Sequence, residues 1–253
     1  MTVIEIAVSI FAGLVAGVIN TLAGNGSAIT LAILLEFFGL PAHLANGTNR
    51  IGVLAQATGS VLSFNREGRL EVRNNLAAIL IPTVGALLGI YLAIIVSAEG
   101  FIAIYKYLLV FMLILILINP KRWITNESIE SHQSPESKWM WLLYFALGVY
   151  GGFIQMGMGI FTIAVFVLLG NRDIISANVL KVVIITVLTI AALIVFAWQG
   201  MVHWGYGLTI GLGQMAGGWF TAQFASRHSK AALVAYYVLV VCIIGAIYSV
   251  FFR

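Results

Sequence analysis

The sequence predicts an all-α polytopic membrane protein of two homologous halves, each of about four spans, with discontinuous glycine-broken helices. Three observations lead there. Of 253 residues, 61% are hydrophobic and only 9% are charged, against about 25% charged in an ordinary soluble domain. No Asp, Glu, Lys or Arg occurs in 74–98 or in 182–226, and one span needs about 20 apolar residues. The apolar runs are continuous and rich in Ala, Gly, Leu and Ile, without the alternation in ten-residue segments that a membrane barrel requires.

Eight nominal spans follow in order: 4–36, 44–64, 75–96, 101–118, 139–169, 174–198, 204–224 and 231–251. The first is hydrophobic from Val3, lacks a basic leader and a small-residue cleavage site, and reads as a retained span. It is also too long for one crossing. Its 33 residues would make about 50 Å of helix, against a hydrocarbon core of about 30 Å. Asn20, Thr21, Gly24, Asn25, Gly26 and Ser27 interrupt it. The fifth has the same excess, interrupted by Gly148, Gly151, Gly152, Gln155, Gly157 and Gly159. Each is expected to be a discontinuous helix, or a helix followed by a re-entrant arm. Unwound backbone at that depth must be buried in protein or line a polar cavity.

The only substantial polar linker, 120–138, carries Pro120, Pro135 and mixed charges, and divides a first repeat (1–119) from a second (139–253). Gly13, Gly17 and Gly24 align with Gly148, Gly152 and Gly159 at an offset of 135. At an offset of 132, Asn46, Asn49, Gly68 and Gly85 meet Asn178, Lys181, Gly200 and Gly217.

The net charge of +4 forms no basic stripe interleaved with aromatics, so nucleic acid is not an expected partner. The lipid bilayer is. With eight simple crossings, the side holding both termini receives Arg66, Arg69, Arg73, Lys121, Arg122, Lys138 and Arg253. The other receives Lys106, Arg172, Arg227 and Lys230. That bias expects a multi-pass inner-membrane protein with cytoplasmic termini, although a return of the chain after Gly24 or Gly157 would change the count. The lone Cys242 excludes an intrachain disulfide.

Polar chemistry concentrates in a few places. At Asn25-Gly26-Ser27 a helix can break and restart, with Ser27 as a cap. A half-helix start inside the membrane offers free N–H groups and a partial positive charge to an anion. Close packing through small residues accounts for Gly13 and Gly17 but poorly for Asn20 and Asn25. Asn46 and Asn49, three apart, share a helix face and could donate amide hydrogens to a sulfonate, sulfite or carboxylate oxygen. Arg50 reads either as a cation beside the pore, with Glu36 a candidate partner, or as an interfacial side chain snorkelling to headgroups. Lys181, after Asn178, offers the same choice in the second half, and Gln155 could face the same cavity. Gln214 is a weaker pore candidate. The four His residues make no metal-ligand cluster, and neither a P-loop nor a nucleophile elbow occurs. No enzyme activity, metal or cofactor is expected.

The motifs G13LVAGVINTLAGNGSAIT, G39LPAHLANGTN and F64NREGRL, repeated more weakly in G148VYGGFIQMGMGIF, A177NVLK and W198QGMVHW, resemble the TauE/SafE family of sulfite exporters and anion permeases over nearly the whole chain. The first glycine cluster here reads Gly24-Asn25-Gly26-Ser27, without the proline that often follows, and the second is reduced to Gly157-Met158-Gly159-Ile160. The resemblance implies seven or eight spans in two related halves. It also implies secondary transport, in the export direction, of sulfite, sulfoacetate, another sulfonate or a small organic anion, driven by an ion or membrane gradient. Carried over by position, the candidates are Asn25, Ser27, Asn46, Thr48, Asn49, Asn178 and Lys181, beside Arg50 and Gln155 from the residue reading. Alternating access around a midplane site is the expected mechanism, with a proton or Na+ as the coupling ion to test. An anion channel and a non-transporting membrane scaffold are the rival readings.

Overall fold

The computed structural model describes residues 1–66, 68, 75–118, 138–170 and 174–225, with 237, 240, 241, 244, 245, 247, 248 and 251. The described helices are α1 (Val3–Ala23), α2 (Gly26–Ala32), α3 (Ala42–Arg66), α4 (Leu76–Ile95), α5 (Ala98–Ile118), α6 (Lys138–Phe153), α7 (Met158–Ala164), α8 (Ile174–Trp198) and α9 (Trp204–Ala225). Helices α2 and α7 run on into single π-helical turns, Ile33–Phe37 and Val165–Leu169. Most of the expected 120–138 linker, Asp173, Cys242 and most of the eighth nominal span lie outside the described residues.

A capping box starts α1: the Thr2 hydroxyl accepts from Glu5 N at 3.2 Å, and the Glu5 carboxylate accepts from Thr2 N at 2.6 Å. The helix ends where Gly24 adopts a left-handed φ of 74° and donates its N–H to Asn20 O, the turn that glycine allows without a Cβ clash. The chain then folds back on itself. Gly26 packs on Ala16 O and the Asn20 side chain, and Phe38 stacks on Tyr206 with ring centroids 4.2 Å apart. Tyr206 lies in the first turn of α9, which runs parallel to α1, because Gly13 rests on Ile210 and Gly17 on Gln214. Phe38 is therefore back at the level where α1 began.

The 139–169 stretch does the same. Gln155 (φ 60°) and Gly157 (φ 68°) make the reversal. Tyr150 then meets Phe161 at 5.2 Å and Tyr144 meets Phe166 at 5.3 Å, so α6 and α7 are antiparallel. Both over-long segments are thus helical hairpins, the re-entrant form of the two expectations. The count of eight simple crossings does not hold, and the parity assignment of Lys and Arg built on it changes. Met1, Phe38 and Ser97 share one side, and Arg66 is on the other.

Among the described residues, three helices are long and apolar enough to cross a membrane: Val3–Thr21, Leu76–Ile95 and Ser176–Trp198. Lipid tails are as apolar as Leu, so helices associate in a membrane where small residues let backbones approach. Gly13 and Gly17 of α1 meet α9, whose Gly213 and Gly217 meet Ile10 and Leu14 in return. Gly148 and Gly152 of α6 meet Pro82 and Ala86 of α4, whose Gly85 and Gly89 meet Phe145 and Val149. Each hairpin's first helix is thus zipped, in parallel, to a helix from the other half of the sequence.

The His43 ring bonded to Ala93 O at 3.0 Å puts the end of α4 beside the start of α3. Gly47 beside Phe196, with Val53 and Ala57 clustered with Leu180 and Val183, makes α8 antiparallel to α3. Helices α1, α3 and α9 therefore run one way and α4, α6 and α8 the other. These pairings suggest an internal symmetry. The equal 25-residue lengths of α3 and α8 agree with it, as do the two π turns, offset by the same 132.

Candidate functional site

The two hairpin tips touch. A Cβ on Gly159 would lie 2.7 Å from Gly24 Cα and 2.8 Å from Gly24 O. The contact lies near mid-height of the long helices, since the first tip is held to α3 by residues either side of its midpoint. The Thr30 hydroxyl donates to Asn49 Oδ1, and Asn20 Nδ2 donates to Gln56 Oε1. Gln56 Nε2 donates to Thr21 Oγ1 at 3.0 Å, and Gly26 N donates to Asn20 Oδ1 at 3.2 Å. Asn20 therefore fixes the first N–H of the returning helix.

Among the described residues, several polar groups at this tip have no hydrogen-bond partner. Asn25 is 0% exposed, yet neither oxygen nor nitrogen of its side chain is hydrogen-bonded. Asn49 is equally buried, and its Nδ2 has no partner. Ser27 is buried beside them, without making the side-chain cap expected of it. Native proteins pair nearly all such groups.

The second tip is organised differently. The guanidinium of Arg50, fully buried, donates to Gly151 O at 2.7 Å, Gly152 O at 2.8 Å and Gln155 Oε1 at 2.9 Å. Asn46 Nδ2 donates to Phe153 O at 2.8 Å. The last carbonyls of a helix lack internal partners and carry partial negative charge, so a cation is well placed at the end of α6. The Phe196 ring, 5.5 Å from the guanidinium carbon, covers it. Gln155 is held from its other side by a hydrogen bond from its Nε2 to Thr189 Oγ1. Arg50 therefore neither snorkels to the interface nor pairs with Glu36: its described partners are carbonyls and carboxamides.

Thr48 also differs from expectation. Its hydroxyl accepts the His203 N–H at 2.9 Å, tying α3 to the start of α9. Lys181, 3% exposed, donates to Asn178 Oδ1 at 2.7 Å. The 132 offset places Lys181 where the first half has Asn49, and Val182 where it has Arg50, so the second half has no arginine at the matching position. Gln214, by sequence a weaker pore candidate, is 0% exposed, and both its side-chain polar atoms are unpartnered among the described residues. The available signal was a carboxamide between Gly213 and Gly217 in a run without charge. Among the described residues no group of His, Cys, Asp and Glu could hold a metal ion.

Comparison with known proteins settles the affiliation: the family described as sulfite exporter TauE/SafE matches residues 9–248. The chain belongs to that family. As a TauE/SafE protein it is a multi-pass membrane transporter and not an enzyme. It is 30% identical to the probable membrane transporter protein ORF9 of Sinorhizobium sp, over 87% of this chain and 81% of the relative. A probable membrane transporter protein of Haemophilus influenzae is 29% identical, over 87% of this chain and 85% of its own length. The probable membrane transporter protein YdhB of Bacillus subtilis is 25% identical, over 85% and 88%. No solved structure matches the chain.

Proposed function

We propose that this TauE/SafE transporter exports a small sulfur-containing or carboxylate anion, such as sulfite, sulfoacetate or another sulfonate, by alternating access around the meeting point of its two hairpin tips. The observation that carries the reading is Asn25: a carboxamide sealed at mid-height, beside the start of a returning helix, with no partner for either polar atom. A buried group in that condition costs about 1–3 kcal/mol, which a bound solute would recover. Asn25, Ser27 and Asn49 make the solute-facing set at the first tip, and Asn178 with Lys181 brings positive charge from α8. Asn46, Arg50 and Gln155 serve the site by locking the second tip in place, and Thr48 by holding α3 to α9.

The reciprocal zippers support reading 1–119 and 139–253 as two inverted repeats. Rocking one against the other about the touching tips would open the site to each side in turn. The hairpin returns also change the orientation argument, and the reading places the N-terminus outside the cytoplasm.

Proteoliposome uptake and efflux tests the proposal, with sulfite, sulfoacetate, taurine and acetate as solutes, with and without pH and Na+ gradients. At least one anion is moved, and Asn49→Ala and Lys181→Ala each slow it about tenfold, the scale of one hydrogen bond to a charged group. Parental rates in both variants would remove the site from the mechanism.

A further inference from the structure

We propose that Gln214 is a further solute-contacting residue, and the one that selects solutes by their uncharged end: it favours an oxyanion that carries a hydroxyl away from its charge. The inference rests on the anion reading above. Polar residues in membrane helices ordinarily bond across to a neighbouring helix. Gln214 sits where two neighbours meet and bonds to neither. Its backbone lies on Gly17 of α1, with Gln214 Cα 2.9 Å from where a Gly17 Cβ would stand. Its carboxamide lies over Gly52 of α3, with Oε1 2.6 Å from the corresponding Cβ position there.

Gly52 is three residues from Asn49, so the two positions are helix-surface neighbours about 5–6 Å apart. Gly17 is likewise one turn from Asn20, which holds the tip. The open carboxamide of Gln214 therefore lies one helical turn from the open Nδ2 of Asn49. Glycine at both positions lets α9 come this close: the Gln214 backbone takes the place of a side chain at Gly17, and the Gln214 carboxamide with Ile210 Cγ2 takes it at Gly52.

The chemistry of the open atoms defines the ligand. The unpartnered nitrogens of Asn25, Asn49 and Gln214 are neutral donors suited to oxyanion oxygens. The unpartnered Gln214 Oε1 is an acceptor: it repels a bare oxyanion oxygen and takes a hydrogen from a hydroxyl. A site with donors at the tip and an acceptor one turn away fits a solute with a charged head and a hydrogen-donating tail, such as a hydroxyalkyl sulfonate.

The test compares isethionate with ethanesulfonate, of the same charge and nearly the same size but lacking the hydroxyl, by calorimetric binding to the purified full-length protein. The parent is expected to bind isethionate about tenfold more tightly, the scale of one hydrogen bond offered to an otherwise unmet buried group. Gln214→Met should bind both sulfonates with the parent's affinity for ethanesulfonate. Asn49→Ala should weaken both equally, because it contacts the shared charged head. Gln214→Leu provides a second apolar variant, and only variants with the parental gel-filtration profile are scored. A parent that binds the two sulfonates equally, or a Gln214→Met protein that still prefers isethionate, overturns the inference and leaves the anion reading standing. A parent that binds neither overturns both.

Discussion

A guanidinium without water needs acceptors for its hydrogens, and Arg50 finds them in a helix that ends early. Two carbonyls of α6 and the Gln155 oxygen, all within 2.9 Å, take hydrogens from its two terminal nitrogens, while its Nε has no partner among the described residues. Removing the side chain strands those acceptors in a dry interior. Arg50→Ala is expected to destabilise the protein by about 2–5 kcal/mol, read as an earlier thermal unfolding midpoint in detergent micelles. Arg50→Lys keeps the charge but not the planar fork that serves two carbonyls at once, and should fall between the two. The sequence marks Arg50 as anomalous, since a charge among apolar residues needs a reason. It does not reveal the partner, because Gly151 is 101 residues away and the bond goes to a backbone atom that every residue has. Thr48 is the same case: its partner is the His203 backbone N–H, which leaves no trace in residue identity.

At the scale of elements, excess length foretells the hairpins: 33 residues of apolar sequence cannot be one straight crossing. Glycine with Asn20 and Asn25 marks the break in the first, and glycine with Gln155 the break in the second. Whether the chain goes on or turns back depends on which surface the second arm packs against, and that is a tertiary choice. The glycines divide along the same line. Those on the zippers are fixed by backbone contact, as where a Gly152 Cβ would lie 2.8 Å from Ala86 Cα. Gly59 instead has nothing nearer than Met215 Cγ at 3.7 Å. Gly152→Ala should therefore force α4 and α6 apart and lower the unfolding midpoint. Gly59→Ala should leave the midpoint unchanged or raise it, because Ala is the better helix former by about 1 kcal/mol. Equal effects from the two substitutions would show that the zippers do not hold the halves together. Composition gives both residues the same weight, and only their neighbours separate them.

At the scale of the whole molecule, the returns decide which connections share a side of the bilayer. With two hairpins, the turns at Phe38–Pro41, Val96–Ser97 and Gln199–His203 all lie on the side of Met1, and none contains Lys or Arg. The described carboxylates Glu5, Glu36 and Glu99 sit on that side as well. The opposite side has Arg66 and Lys138 at helix ends. In the sequence, the stretches between those helix ends contain Arg69, Arg73, Lys121, Arg122 and Arg172. Cytoplasmic connections collect the positive residues, so we propose that the Arg66 side faces the cytoplasm and the N-terminus the outside, the reverse of the expectation from simple crossings. In a Cys242→Ser background, Thr2→Cys and Ser97→Cys should react with a membrane-impermeant maleimide on intact cells, and Asn65→Cys only after permeabilisation. The opposite pattern would restore a cytoplasmic N-terminus. Labelling of Thr2→Cys and Ser97→Cys from different sides would instead break the hairpin account itself, because both positions share a side only if α1 and α2 go out and come back.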